Sequence, residues 1–341
     1  IHKGRRPSED AHLVKLLRDA GAVIMGKCVT TEFALSAPGK TKNPKDLECT
    51  PGGSSSGSAA AVSDYMIPLA IGSQTGGSVL RPASFTGVLG LKPTFGTISR
   101  SGMSPISERL DHPGIYANST DDIKLVASVI LSYDKKDLDM ESNYTFRTES
   151  KLKRSPKFAF VKGPVWNSGE EDMKKAIKQY VNDSYLDITS IELGDDFTEA
   201  AKCHEIIMNG SISKSLANYY ETNKPKLHPF TTARIQAGIS VSAKNYIYAI
   251  EKAKKMKQAL SEVFEKFDAI ITPAAPGQAP RDLMNTGNAI FNGYWTMLGV
   301  PAISLPLLKG KDDLPIGVQI ITSWNKEAEL LDISNIILSQ T

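Results

Sequence analysis

This chain of 341 residues has little of what several classes of protein depend on. Its three cysteines, Cys28, Cys49 and Cys203, are too few for a disulfide framework and show no C-x-x-C spacing. The net charge of +3 is small for this length and gives no sign of a nucleic-acid partner. No apolar run reaches the length of a membrane-spanning helix. We therefore predict a cytoplasmic protein that binds neither nucleic acid nor membrane.

Signatures of bound metals and cofactors are missing as well. The five histidines stand in no telling context, and neither H-E-x-x-H nor paired Cys/His spacing occurs. The basic run at 151–154 is interpreted as a solvated segment before a strand. The sequence thus predicts chemistry carried out without a cofactor.

Two glycine–serine clusters are the most informative feature present. The first, GGSSSGS, covers residues 52–58, and the second, GSQTGGS, covers residues 72–78. Apolar sequence flanks both, whereas a flexible linker is flanked by polar chain. Small hydroxyl side chains beside unshielded backbone N–H groups are what acyl transfer requires. We interpret the clusters as tight turns between core elements and predict an acyl-transfer site there.

Strand-like and helix-like segments alternate along the chain. The longest helical patterns cover 171–181, 198–220 and 241–264. Short apolar segments predict buried strands at 22–25, 67–72, 158–161, 188–193, 269–271 and 302–305. Such alternation predicts an α/β fold whose central sheet is mixed, largely parallel and covered by helices on both faces.

Ordered motifs resemble those of the amidase signature family of serine hydrolases. They include the two clusters, GVLGLKPT at 87–94, LD at 110–111, ITP at 271–273, GVPAI at 299–303 and PIGVQ at 315–319. The resemblance spans nearly the whole chain except about 133–266. It implies one amidase signature domain over residues 1–341, incomplete at its N-terminus. The stretch at about 133–266 is expected to be a variable helical region that shapes the pocket.

The resemblance also assigns roles within the second cluster. The family carries its nucleophile at the position of Ser78, and the amides of Thr75, Gly76, Gly77 and Ser78 are expected to form the oxyanion hole. Two consecutive glycines allow backbone angles that bring neighbouring N–H groups to one point. Arg81 lies three residues after Ser78, where one branch of the family binds a substrate carboxylate. An ion pair that holds the loop together is the equally open alternative for Arg81.

In the first cluster the resemblance assigns the proton relay to Ser54, which follows a cis peptide bond at Gly53–Ser54. Ser55 is expected to support the site. The third member of a Ser–cisSer–Lys triad, a lysine, is expected before Ile1. Residues 53–57 also match G-x-S-x-G, but a nucleophile elbow requires a preceding strand, and residues 43–51 are a polar loop.

The favoured function is an amidohydrolase that cleaves a small carboxamide through a serine acyl-enzyme, with a small-molecule amide as its partner. The alternatives are the amidase (A) subunit of a tRNA-dependent amidotransferase and a catalytically incomplete amidase-fold subunit. That A subunit typically has arginine two residues after the nucleophile, where this chain has Leu80. This difference favours a stand-alone amidase, and a homodimer is left open.

Overall fold

The computed structural model describes residues 1–150, 152 and 154–340, so part of the basic run at 151–154 lies outside the described residues. The strands are β1 (Leu69–Gln74), β2 (Leu89–Lys92), β3 (His112–Ala117), β4 (Lys157–Val161), β5 (Asp187–Ile191), β6 (Ala269–Pro273), β7 (Ala302–Lys309) and β8 (Pro315–Thr322). The helices are α1 (His12–Asp19), α2 (Ser56–Ser63), α3 (Leu80–Thr86), α4 (Thr120–Ile130), α5 (Glu171–Asp183), α6 (Ala200–Ser215), α7 (Ala217–Asn223), α8 (Pro229–Ile239), α9 (Ala243–Phe264), α10 (Ile290–Leu298) and α11 (Glu327–Leu338).

The eight strands form one mixed sheet in the order β1-β3-β2-β7-β8-β6-β4-β5, with helices over both faces, as predicted. The prediction that this sheet is largely parallel is wrong. Within the described residues, only the β4–β5 and β4–β6 pairings are parallel, and the other five are antiparallel. The physical reason is that β7 and β8 are joined by a short loop and β2 and β3 by a segment without a helix, and such connections favour antiparallel neighbours.

The segment 22–25, predicted as a buried strand, forms no regular secondary structure and belongs to no strand of the sheet. Val23 is 82% exposed and Met25 is 77% exposed. The prediction is wrong because an apolar run becomes a buried strand only where a neighbouring strand and a core are available to it.

The core beneath the two glycine–serine clusters is built by α3 and α10. Helix α3 packs against β2, β7 and β8, and each of its residues is buried. Helix α10 is apolar on nearly its whole circumference and is likewise buried, ending at Gly299 in the left-handed region (φ 71°). The turn that joins β1 to α3 therefore contacts two helices that are buried except for the partly exposed Ile290 of α10.

The variable region supplies α5 to α9 but also two strands, β4 and β5. Its predicted long helix over 198–220 is divided into α6 and α7 near Leu216. Helix α6 packs against α8, α9 and α10, and its residue His204 hydrogen-bonds the turn that follows β1.

Candidate active site

The fold brings the two glycine–serine clusters into contact. The Ser55 hydroxyl donates to the carbonyl of Ser73 (3.2 Å) and accepts from its N–H (3.1 Å). Gly52 has φ +81°, and a Cβ at this position would lie 2.9 Å from the Cα of Pro82. Only glycine combines this backbone conformation with this close approach.

The Gly53–Ser54 peptide bond is cis, which confirms the prediction. The carbonyl of Ser54 accepts hydrogen bonds from the hydroxyl of Thr30 (2.8 Å) and the N–H of Thr31 (3.2 Å). These bonds fix the backbone of Ser54, which is 1% exposed. Its hydroxyl has no hydrogen-bond partner in the described part of the chain.

Three consecutive backbone amides of the second cluster differ in their bonding from the amides that follow them. The N–H groups of Gly76, Gly77 and Ser78 are buried and, among the residues that the structure describes, have no acceptor. The next two amides, of Val79 and Leu80, both donate to Oε1 of Gln74, at 2.8 and 3.0 Å. Unpaired buried N–H groups are rare, which makes these three amides candidate ligand donors.

The carbonyl groups of the same turn, in contrast, are all bonded. The His204 imidazole bonds the carbonyl of Thr75 (Nε2 to O 3.0 Å), and the Thr296 hydroxyl donates to that of Gly76 (2.6 Å). Those of Gly77 and Ser78 accept from the Arg81 N–H and the Tyr116 hydroxyl respectively, both at 3.0 Å. The sequence analysis did not identify His204, Tyr116 or Thr296, since none belongs to a recognisable spacing.

A buried carboxylate holds the side chain at the start of the turn. The Thr75 hydroxyl donates to Oδ1 of Asp111 at 2.6 Å, and Oδ2 accepts from the N–H groups of Ile106 (2.8 Å) and Ser107 (2.9 Å). Burial raises the pKa of the Asp111 carboxyl, although these hydrogen bonds oppose the shift. Asp111 is the aspartate of the LD pair at 110–111, one of the motifs that resemble the family.

Arg81 is buried against the first cluster. Its guanidinium donates to the carbonyl of Gly53 at 2.5 Å, and the side chain is 5% exposed. In the part of the chain that the structure describes, its Nε has no hydrogen-bond partner. Burial lowers the pKa of Arg81 to about 10, which leaves it charged at neutral pH. Within the described residues it makes no ion pair, so the alternative of a loop-holding ion pair is wrong, although Arg81 does bridge the two clusters.

The described residues contain neither a clustered metal site nor a helix suited to a membrane. No group of three or more His, Cys, Asp or Glu residues is arranged to hold a metal ion. None of the helices found there is both long and apolar enough to traverse a bilayer.

Comparison with known proteins places this arrangement in a family. The profile of the family described as Amidase matches residues 1–331. The chain belongs to the Amidase family. As a member, it is a hydrolase of amide C–N bonds, and its eight-stranded mixed sheet is the fold of amidase structures.

The relatives of this amidase include components of larger enzymes. The A subunit of glutamyl-tRNA(Gln) amidotransferase from Agathobacter rectalis is 32% identical over 367 residues, covering 95% of this chain and 73% of the relative. The structure of the corresponding A subunit from Thermotoga maritima matches with a TM-score of 0.82 and 28% identity, over 98% of this chain and 77% of the other. The native peptide amidase from Stenotrophomonas maltophilia matches with a TM-score of 0.82 and 26% identity, over 99% and 77% respectively.

Proposed function

We propose that this amidase cleaves a carboxamide through a covalent acyl-enzyme on Ser78, with Ser54 relaying protons. The observation that carries the proposal is the row of buried amides at Gly76, Gly77 and Ser78, which have no acceptor among the described residues, next to a Ser78 hydroxyl that is likewise unbonded there. A buried donor left unpaired costs about 1–3 kcal/mol. The oxyanion of a tetrahedral intermediate would pair these donors at the moment when its negative charge develops.

In this scheme the Ser78 oxygen attacks the carbonyl carbon while its proton passes through the Ser54 hydroxyl to a base. The C–N bond breaks, the nitrogen leaves with a proton returned along the same path, and the acyl group stays on Ser78. Water then attacks the ester and releases the acid, which restores the hydroxyl. The base is proposed to be the lysine that the family resemblance assigns before Ile1.

We further propose that the amidase works as the A subunit of an amidotransferase. This rests on the relatives named above, one of which is 32% identical over 95% of the chain. Such an enzyme delivers the released nitrogen to an acyl acceptor, and the relatives' names specify glutamyl-tRNA(Gln). Under this proposal the protein has partner subunits and contributes to a reaction on a nucleic acid, which the low net charge did not predict.

The test is to isolate the protein from its own cells with an affinity tag and to measure amide transfer from glutamine to glutamyl-tRNA(Gln). Transfer that disappears with Ser78→Ala supports the proposal. If the isolated protein instead hydrolyses free amides and transfers no nitrogen from glutamine to glutamyl-tRNA(Gln), it is not an amidotransferase subunit.

Arg81 favours a second candidate, a stand-alone amidase for carboxamides that carry a carboxylate. The chain has Leu80 where the A subunit typically has arginine, and the Arg81 guanidinium is buried without a carboxylate partner among the described residues. A charge buried without a counter-charge is costly, and a substrate carboxylate would balance it. Monoamides of small dicarboxylic acids fit this requirement.

The domain organisation and the cellular location of the protein are proposed on the same basis. We propose that residues 1–341 act as one amidase domain, because all strands of the described residues share one sheet. A cytoplasmic site of action agrees with an amidotransferase that uses charged tRNA. The homodimer stays a prediction.

A further inference from the structure

The planar peptide units of the turn after β1 link the direction of each backbone amide to that of the preceding carbonyl. A trans peptide unit is planar, so its C=O and the N–H of the next residue point in opposite directions. In the described chain only Gly53–Ser54 is cis, so the units of this turn are trans. A side chain that fixes a carbonyl on one side therefore fixes the direction of an amide on the other.

Two side chains hold carbonyls of this turn, each one peptide plane away from the Gly76 or the Gly77 amide. His204 of α6 bonds the carbonyl of Thr75, and the amide across that peptide plane belongs to Gly76. Thr296 of α10 donates to the carbonyl of Gly76, and the amide across that plane belongs to Gly77. Both amides lack acceptors among the described residues, as shown above.

We propose that His204 and Thr296 are positioning residues that aim the Gly76 and Gly77 amides at the oxyanion. This inference rests on the proposed acyl-enzyme at Ser78. Among the described residues, neither side chain hydrogen-bonds the Ser78 or Ser54 hydroxyl. Each acts through one peptide plane, so its loss tilts one donor without removing it.

The bonding of both side chains defines their proton positions. A carbonyl oxygen only accepts, so the His204 proton is on Nε2, and burial lowers the pKa of this imidazole to about 4, which keeps it neutral at neutral pH. The positive charge of Arg234 on α8 also lowers this pKa. The Thr296 hydroxyl accepts a hydrogen bond from Nε2 of Gln74 (2.9 Å), so its own proton is donated to a carbonyl. The carbonyl of Gly76 is the nearer acceptor at 2.6 Å, and that of Asn292 lies at 3.1 Å.

The test compares variants that keep or lose each donor. Thr296→Val preserves the shape and loses the hydroxyl, and Thr296→Ser keeps it. His204→Leu loses the donor, and His204→Gln retains an amide N–H. Removing one oxyanion donor costs about 10²–10³ in kcat. For a donor that is tilted rather than removed, we expect kcat to fall about 10-fold to 100-fold in the Val and Leu variants, with KM within about twofold.

The decisive readout is the affinity for a trifluoromethyl ketone analogue of the amide, which forms a tetrahedral oxyanion adduct with a serine. We expect its inhibition constant to rise by the same factor as kcat falls, while the affinity for the product acid is unchanged. The Ser and Gln variants should regain most of both. An unchanged ketone affinity, or equal losses in Thr296→Ser and Thr296→Val, overturns the inference.

Folding and the proposed function are checked separately. If Thr296→Val does not fold, as judged by thermal unfolding, the His204 pair decides the result. If Ser78→Ala stays active, the acyl-enzyme on Ser78 is wrong and the proposed function fails. If Ser78→Ala is inactive and the donor-deleting variants are unimpaired, only the positioning inference fails.

Discussion

At the scale of single residues, the serines of the first cluster differ in how their hydroxyls are bonded. Ser55, Ser56 and Ser58 each donate to a backbone carbonyl, at 3.2, 3.3 and 2.8 Å. In the chain as described, the hydroxyls of Ser54 and Ser78 have no such partner. A hydroxyl that donates its proton to a backbone carbonyl stabilises the fold and cannot pass that proton on. The hydroxyls of Ser54 and Ser78 are therefore the ones available for proton transfer.

Ser54→Ala should therefore reduce turnover without loss of stability. We expect kcat to fall about 10²–10³-fold, as for other lost proton-transfer groups, because the relay is interrupted. The matched control, Ser58→Ala, removes the hydrogen bond to the Ile71 carbonyl and should cost about 1 kcal/mol of stability while activity is kept. Steady-state kinetics and denaturant unfolding measure both effects, and near-normal turnover of Ser54→Ala would remove this residue from the mechanism.

Arg81→Ala should lower kcat/KM for acidic substrates far more than for neutral ones. Because a bidentate contact to a substrate carboxylate would be lost, we expect kcat/KM for a dicarboxylic acid monoamide to fall about 100-fold, and mainly through KM. The methyl ester of the same monoamide is the neutral comparison and should lose far less. Equal losses on both substrates would instead make the bond to the Gly53 carbonyl the whole role of Arg81.

The sequence indicated some of these residues and concealed others. Gly53, Ser54 and Ser78 stand in compact motifs, so the resemblance predicted them, and the cis bond is confirmed. His204 bonds Thr75 across 129 positions of sequence, from a region without motifs. A lone histidine on a helix gives no signal of such a bond, because only the tertiary fold brings the two residues together.

At the scale of elements, the turn between β1 and α3 fits closely against α10. A Cβ at Gly77 would collide with Oδ1 of Asn292 and lie 3.0 Å from Cβ of Ala289. Asn292 is fully buried and donates to the carbonyl of Ala274 at 2.9 Å, so it has little room to move. Gly76, by contrast, has ordinary van der Waals distances to its nearest neighbours, 3.5 Å or more.

Adjacent glycine substitutions should consequently differ in effect. Gly77→Ala must displace the turn from α10, and we expect kcat to fall at least about 100-fold, as when an oxyanion donor is lost. Gly76→Ala is the matched control and should stay within about tenfold of wild type in the same assay. Equal tolerance of both changes would show that the turn is not held by α10.

Predicting elements from sequence succeeded where periodicity was local and failed where pairing was required. The strand at 67–72 and the helices at 171–181 and 241–264 were found within a few residues of β1, α5 and α9. The predicted parallel direction of most strands is wrong because β2, β3 and β8 were not predicted as strands. Each antiparallel pairing in the described residues involves one of these three strands. The single-domain organisation stays a prediction.

At the scale of the whole molecule, buried neutral histidines couple stability to pH. Burial lowers the pKa of His204 to about 4 and that of His112 well below its ordinary value, with Lys92, Arg100 and Lys257 adding to the shift at His112. The unfolded chain binds these protons near pH 6.5, before the folded protein does. Both groups therefore contribute stability that is present above pH 6.5 and is lost as the pH falls toward the folded pKa.

We expect His204→Gln to weaken this dependence, since glutamine does not titrate. Between pH 7.5 and 5, the free energy of unfolding of the wild type should fall by on the order of 2 kcal/mol more than that of the variant. His204→Leu, which also lacks a titrating group at this position, should show the same weakened dependence as His204→Gln. Denaturant titrations at each pH give the comparison, and parallel curves for wild type and His204→Gln would contradict the assignment.

The central claim is that Ser78 is the nucleophile, and covalent labelling tests it most directly. The full-length protein is treated with a fluorophosphonate, and the modified residue is located by peptide mass spectrometry. We predict one adduct on Ser78 that is absent in Ser78→Ala and retained in Ser55→Ala. An adduct on Ser55, or labelling that survives Ser78→Ala, would contradict the account.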